Sequence, residues 1–213
     1  MNSDVLLFLL QALLISLSGV LAPGPVTAAT LAAGTRSRHA GALVAVGHGI
    51  VEFPLMFLIM AGMGVIFEHV SVRIGIGLVG GAFLVFMGVG MLRSSAEAPE
   101  AAAEPATRGP IWTGVILSAG NPYFLLWWAT VGLALATRAL KLGVLAFGLF
   151  AVVHWLCDLV WLEALSLASF KGSKLLGERM QRIVLVVCGA ALLAIGARFA
   201  WDAGKLWLYP PSG

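Results

Sequence analysis

His48-Gly49-Ile50-Val51-Glu52 and His154-Trp155-Leu156-Cys157-Asp158 share one pattern, His-x-x-x-acid, in two distant parts of the chain. Each lies in a long apolar run. Each follows a proline break: Pro23-Gly24-Pro25 in the first half, Asn121-Pro122 in the second. On a helix, residues four apart share a face. An ionisable side chain at membrane depth is costly and turns toward a partner, a cavity or a pathway. A duplicated pair beside duplicated helix breaks points to a transporter-like membrane protein built from two repeats, with its site where they meet.

Composition agrees. Of 213 residues, 60% are hydrophobic and only 11% charged, against about 25% charged in soluble domains. The expectation is an all-α integral membrane protein forming a single transmembrane domain over residues 1–213, with no soluble domain attached. The formal charge of +3 is no nucleic-acid signal, because Lys and Arg sit at segment ends, where they orient the chain and meet lipid headgroups. Cys157 and Cys188 fall in apolar segments and read as buried thiols rather than a disulfide framework. The N-terminal run is not preceded by basic residues and shows no clear cleavage pattern, so it reads as a first membrane segment.

Crossing a bilayer takes about 20 apolar residues, and six segments qualify: 5–33, broken at Pro23; 41–67; 74–92; 111–136, broken at Asn121-Pro122; 143–170; and 183–201. They are helices, because unpaired backbone groups cannot face lipid and the short alternating strands of a barrel are absent. Residues 93–110 read RSSAEAPEAAAEPATRGP. With no hydrophobic period, they form a flexible linker between a first three-helix repeat, 1–92, and a second, 111–213. Eight Lys or Arg (Arg36, Arg38, Arg93, Arg108, Lys171, Lys174, Arg179, Arg182) fall on one side and five on the other. The larger group is expected in the cytoplasm, with both termini outside the cytoplasmic membrane. Three spans per half then make the two repeats inverted relative to each other.

Aligning His48 with His154 places Glu52 on Asp158 and Ala45 on Ala151; Pro25 meets Pro122 after allowing about nine extra residues in the second half. Asn121-Pro122 is a helix start, since Asn caps and Pro suits the first helical position. Pro23-Gly24-Pro25 does the same, with Thr27 and Thr30 in the turn that follows. Each break leaves free N–H groups and a positive dipole end, suited to an anion such as an amino-acid carboxylate. A tolerated proline kink is the plain alternative.

Glu52 and Asp158 could hold a substrate ammonium group, exchange the coupling proton or bind metal. His48 and His154, one turn earlier, could orient them, relay protons or ligate metal. Packed, mutually paired side chains are the bland reading. Glu163 reads as interfacial. The Gly77/Gly81 pair suits close packing within the bundle, or else a homodimer face. Trp127-Trp128 could line a hydrophobic pocket, although such residues more often fill the core. No phosphate loop and no hydrolase motif is present, so neither ATP-driven pumping nor an enzyme is indicated, and no cofactor is implied.

Ala22-Pro23-Gly24-Pro25, the 41–47 stretch opening the second span, and Ser118-Ala119-Gly120-Asn121-Pro122 together resemble the lysine exporter (LysE/RhtB) family of amino-acid exporters. The likeness extends over size, span number, linker and both breaks. Where that family typically has Asn-Pro-Lys, this chain has Asn121-Pro122-Tyr123, which removes a cation near the second break. The resemblance implies a secondary exporter in the cytoplasmic membrane, moving an amino acid or related metabolite outward against proton uptake. The expected substrate site is Pro23, Gly24, Pro25, Asn121, Pro122, Glu52 and Asp158, with His48 and His154 joining the two acids in proton coupling. The alternative is a divalent-cation exporter with His48, Glu52, His154 and Asp158 as ligands. A third reading is a membrane enzyme or scaffold subunit, to be favoured if the bundle held no midplane cavity.

Overall fold

The computed structural model describes residues 3–62, 66, 69–96 and 109–209, the side chains of 94, 96, 173–181 and 184 apart, and all regular structure among them is helical. Six stretches are long and apolar enough to cross a bilayer: Ser3–Val20, Ala40–Met60, Val70–Arg93, Pro122–Leu142, Val144–Gly172 and Leu185–Leu208. Large apolar side chains such as Leu14, Val79, Phe86, Leu145 and Val160 point outward from them, as lipid-facing surfaces require.

Both expected breaks are present. α1 (Ser3–Val20) stops before Pro23, and α2 (Pro25–Gly34) starts on the second proline. α3 (Ala40–Met60) and α4 (Val70–Ala96) complete the first half. α5 (Pro110–Ala119) ends at Gly120, and α6 (Pro122–Trp127) restarts after Asn121. A π-helical turn, Trp128–Gly132, joins α6 to α7 (Leu133–Leu142). α8 (Val144–Leu208) carries the last two spans. Asp158 and Leu192 line one cavity, although a straight helix would hold them about 50 Å apart. The two spans of α8 therefore lie side by side.

Some limits differ from the sequence reading. α3 stops at Met60, capped at Ala61, and residue 67 lies outside the described residues. The fourth span runs to Leu142, not 136, because Arg138 does not end it. Its guanidinium donates to the Gln11 side chain at 2.8 Å and lies 5.5 Å over the Phe8 ring. Gly143, at φ 113°, makes the stop. The helix of α4 continues through Arg93 to Ala96, and linker residues 97–108 lie outside the described residues.

Glycines bring the helices into backbone contact. A Cβ on Gly41 would overlap the Leu162 carbonyl of α8, and Cβ atoms on Gly47 and Gly114 would overlap the facing carbonyls of Ile111 and Val44 across α3 and α5. Gly77 faces Ala203, and Gly81 faces Gly196 and Ala200, so this pair packs α4 against the last span.

Gly114→Ala should destabilise the purified protein by about 1–3 kcal/mol, since neither facing backbone can yield. Gly90→Ala, with nothing within 4 Å of the added carbon, should be neutral or stabilising by up to about 1 kcal/mol. Thermal unfolding in detergent checks both; equal effects would refute the packing account.

Candidate functional site

The two His-x-x-x-acid pairs interlock. Within α3, His48 Nε2 lies 3.2 Å from Glu52 Oε1; within α8, His154 Nε2 lies 3.8 Å from Asp158 Oδ2. Across the helices, His154 Nε2 is also 3.2 Å from Glu52 Oε1, and His48 Nε2 is 3.9 Å from Asp158 Oδ1. Glu52 is wholly buried and the other three are nearly so. The sequence placed each pair on one helix face; the fold joins the four side chains into one cluster, in which His48, Glu52 and Asp158 offer atoms all within 4.8 Å of one another.

Two serines complete the arrangement. His48 Nδ1 lies 2.7 Å from Ser118 Oγ on α5, and His154 Nδ1 lies 2.8 Å from Ser16 Oγ on α1. Both serines are fully buried, near the ends of the helices that precede the breaks. Each histidine is thus held by the broken span of the other half. With Glu52 ionised, each Nε2–H donates to it and each Nδ1 accepts a serine O–H. The result is one chain, Ser118–His48–Glu52–His154–Ser16.

A third donor reaches the same oxygen: Trp128 Nε1–H donates to Glu52 Oε1 at 3.2 Å. Trp128 opens the π-helical turn, and its ring lies over Gly132, where a Cβ would overlap the indole. Such turns recur at functional sites because they re-aim side chains. Trp127 stacks on the His154 ring at 4.8 Å. The tryptophan pair therefore belongs to the site as well as to the core. Sequence reasoning assigned no role to Ser16, and met Ser118 only as part of a motif. The available signal was a hydroxyl just before each break.

Beside the cluster lies a small cavity of about 80 Å³. Pro23, Gly24, Pro25 and Asn121 line it together with His48, Glu52, His154 and Asp158, so the two breaks and the two acid pairs share one space. Pro122 instead turns its ring toward Gly80 of α4. Asn121 caps as expected, its Oδ1 accepting the Tyr123 N–H at 3.0 Å. Gly24 is extended and gives α2 no side-chain cap. The first-turn N–H groups of Val26 and Thr27, both in the lining, have no intrahelical carbonyl to meet. No Lys or Arg lines the cavity among the described residues. Glu52 Oε2 and Asp158 Oδ2 are buried without a hydrogen-bond partner. The lining thus offers carboxylate oxygens suited to a cation and free N–H groups suited to an anion.

Glu163 lies apart from the cavity. It pairs with His39 Nδ1 at 2.5 Å and accepts the Ala42 N–H at 3.0 Å, tying α8 to the start of α3.

The LysE type translocator family model matches residues 17–203, a stretch containing both breaks and the whole His–acid cluster. The chain is similar to a Pseudomonas aeruginosa protein described as chemotactic transduction protein ChpE, with 30% identity over 135 residues. That alignment covers 62% of this chain and 66% of the relative, just under two thirds of the relative's length. No solved structure matches the chain.

Ser16→Ala and Ser118→Ala should each lower stability by about 1–3 kcal/mol, since each leaves a buried imidazole nitrogen unpaired. Their double variant should depart from additivity by at least about 0.5 kcal/mol, because both imidazoles converge on one Glu52 oxygen. Strictly additive losses in thermal unfolding would mean that the two ends of the chain are independent.

Proposed function

The chain belongs to the LysE type translocator family, and from that premise we propose that it is a secondary exporter of an amino acid or related small metabolite, coupled to proton uptake. The carrying observation is that both helix breaks and both acids line the same cavity. A zwitterion has two ends of opposite charge, and the cavity lining carries groups suited to each. The substrate carboxylate is placed at the free N–H groups of Val26 and Thr27, after Pro23-Gly24-Pro25, with Asn121 on the facing break. The ammonium group is placed at Asp158 and Glu52. His48 and His154 join those acids in accepting and releasing the coupling proton.

Alternating access supplies the mechanism. Phe8, Trp128, Phe147 and Phe150 belong to one packed core cluster, and Trp128 also lines the cavity. The eight-to-five bias of loop Lys and Arg orients the chain in the cytoplasmic membrane with both termini outside and the three-helix halves inverted. Outward transport follows the family. A divalent cation as cargo, the alternative raised by the sequence, would use the same four side chains, and the same assay decides between them.

The test is thermal stabilisation of the purified protein by a panel of amino acids and divalent cations, followed by flux in proteoliposomes under a pH gradient. An amino acid at 100 times its dissociation constant should stabilise by about 2.7 kcal/mol. Glu52→Gln and Asp158→Asn, if still folded, should lose that stabilisation and at least about 90% of flux. Variants that transport at the wild-type rate, or a panel with no stabilising amino acid, would reject the reading.

A further inference from the structure

We infer that the buried cluster is also a binding site for one divalent transition cation of borderline softness, represented by Zn²⁺, with His48, Glu52, His154 and Asp158 as its ligands. Zinc takes imidazole nitrogen at 2.0–2.1 Å and carboxylate oxygen at 2.0–2.2 Å in tetrahedral sites, which sets ligand-to-ligand separations of about 3.3–3.6 Å. The four separations between imidazole nitrogens and carboxylate oxygens here are 3.2, 3.2, 3.8 and 3.9 Å. One nitrogen or oxygen from each of His48, Glu52 and Asp158 falls within 4.8 Å of the others. Asp158 presents Oδ1 to His48 and Oδ2 to His154, so a small turn of its carboxylate sets which oxygen binds.

Three independent features point to a cation. Glu52 Oε2 and Asp158 Oδ2 are buried without hydrogen-bond partners, and such uncompensated carboxylate oxygens are costly. Two carboxylates and two neutral imidazoles neutralise a divalent ion without help from elsewhere. The outer contacts are already in place: ligating histidines characteristically donate the second ring N–H to an oxygen that fixes their orientation. Ser118 Oγ and Ser16 Oγ stand 2.7 and 2.8 Å from the two Nδ1 atoms. On metal binding, each neutral ring moves its hydrogen from Nε2 to Nδ1 and donates it to the serine, freeing the Nε2 lone pair for the ion. Two imidazoles and only two carboxylates disfavour Mg²⁺ and Ca²⁺, which require six or more oxygens.

The cation shares Glu52 and Asp158 with the proposed ammonium site, so bound metal and bound amino acid exclude each other. The metal site stands without the amino-acid reading, because binding is measured with metal alone.

The experiment uses the purified full chain, stripped with chelator and titrated with ZnCl₂, with metal content counted after dialysis; CoCl₂ serves as a spectroscopic probe. One equivalent of Zn²⁺ per chain and a tetrahedral Co²⁺ spectrum are expected. Binding should be lost in His48→Ala, His154→Ala and Asp158→Asn. It should weaken about 10–100-fold in Ser118→Ala and be unchanged in His39→Ala, which removes an imidazole outside the cluster. His48→Gln, which keeps bulk and polarity, replaces the alanine variant if that fails to fold. Three results would overturn the inference: no stoichiometric metal, binding that survives loss of both cluster histidines, or a six-coordinate Co²⁺ spectrum. Amino-acid binding without Zn²⁺ binding would reject this site alone. Zn²⁺ binding without any amino-acid ligand would retain it and reject the zwitterion reading.

Discussion

A carboxylate with no exposure to solvent, in the middle of a helical membrane bundle, is the constraint around which this structure is arranged. Moving such a group out of water costs several kcal/mol even after relaxation, and lipid offers no donor to offset that cost. Glu52 Oε1 meets it with three N–H groups from three elements: His48 on its own helix, His154 on α8, and Trp128 from the π-helical turn. Removing any one leaves a buried charge less compensated. The turn at Trp128, the missing side chain at Gly132 and the two buried serines all serve to aim these donors.

Such convergence sets how close the backbones must lie. Close backbone approach accompanies this convergence. Gly47 and Gly114 let α3 and α5 touch, and Gly41 lets α3 reach α8. Without a hydrophobic drive between helices in lipid, close packing of small residues and interhelical hydrogen bonds supply the association. Trp155 adds one such bond, donating its indole N–H to the Ala45 carbonyl at 3.0 Å. The bundle and the site are therefore one construction.

The helical class, the six spans and both breaks were legible because each rests on local physics: run length, proline, and a capping Asn. His48, Glu52, His154 and Asp158 were legible as a repeated pattern, since four-residue spacing fixes a shared face whatever the tertiary fold. What the spacing could not reveal was exchange between the pairs. Glu52 meets both histidines because α3 and α8 cross at glycines, and a crossing is not written in either helix alone. Ser16 and Ser118 look like ordinary small polar residues until their partners, 138 and 70 positions away, are known. The π-helical turn was equally hidden, because one extra residue in a helical turn leaves the apolar run unbroken. Pro122 illustrates the opposite error: a break predicts where a helix restarts, but not which way the ring turns.

The exchanged serine contacts bear on how a two-half protein could connect its site to its motion. Ser118 belongs to the helix before the second break and holds the first half's histidine; Ser16 belongs to the helix before the first break and holds the second half's. Under alternating access, rocking one half against the other would strain or remake both serine–imidazole bonds, and with them the donors on Glu52. A ligand shifts such an equilibrium only through differential affinity for the two states. Here the groups that would contact the ligand are the groups that the motion would disturb. Charge in the cavity and geometry at the breaks are thereby tied through a single hydrogen-bonded chain, with no need for a longer path through the bundle.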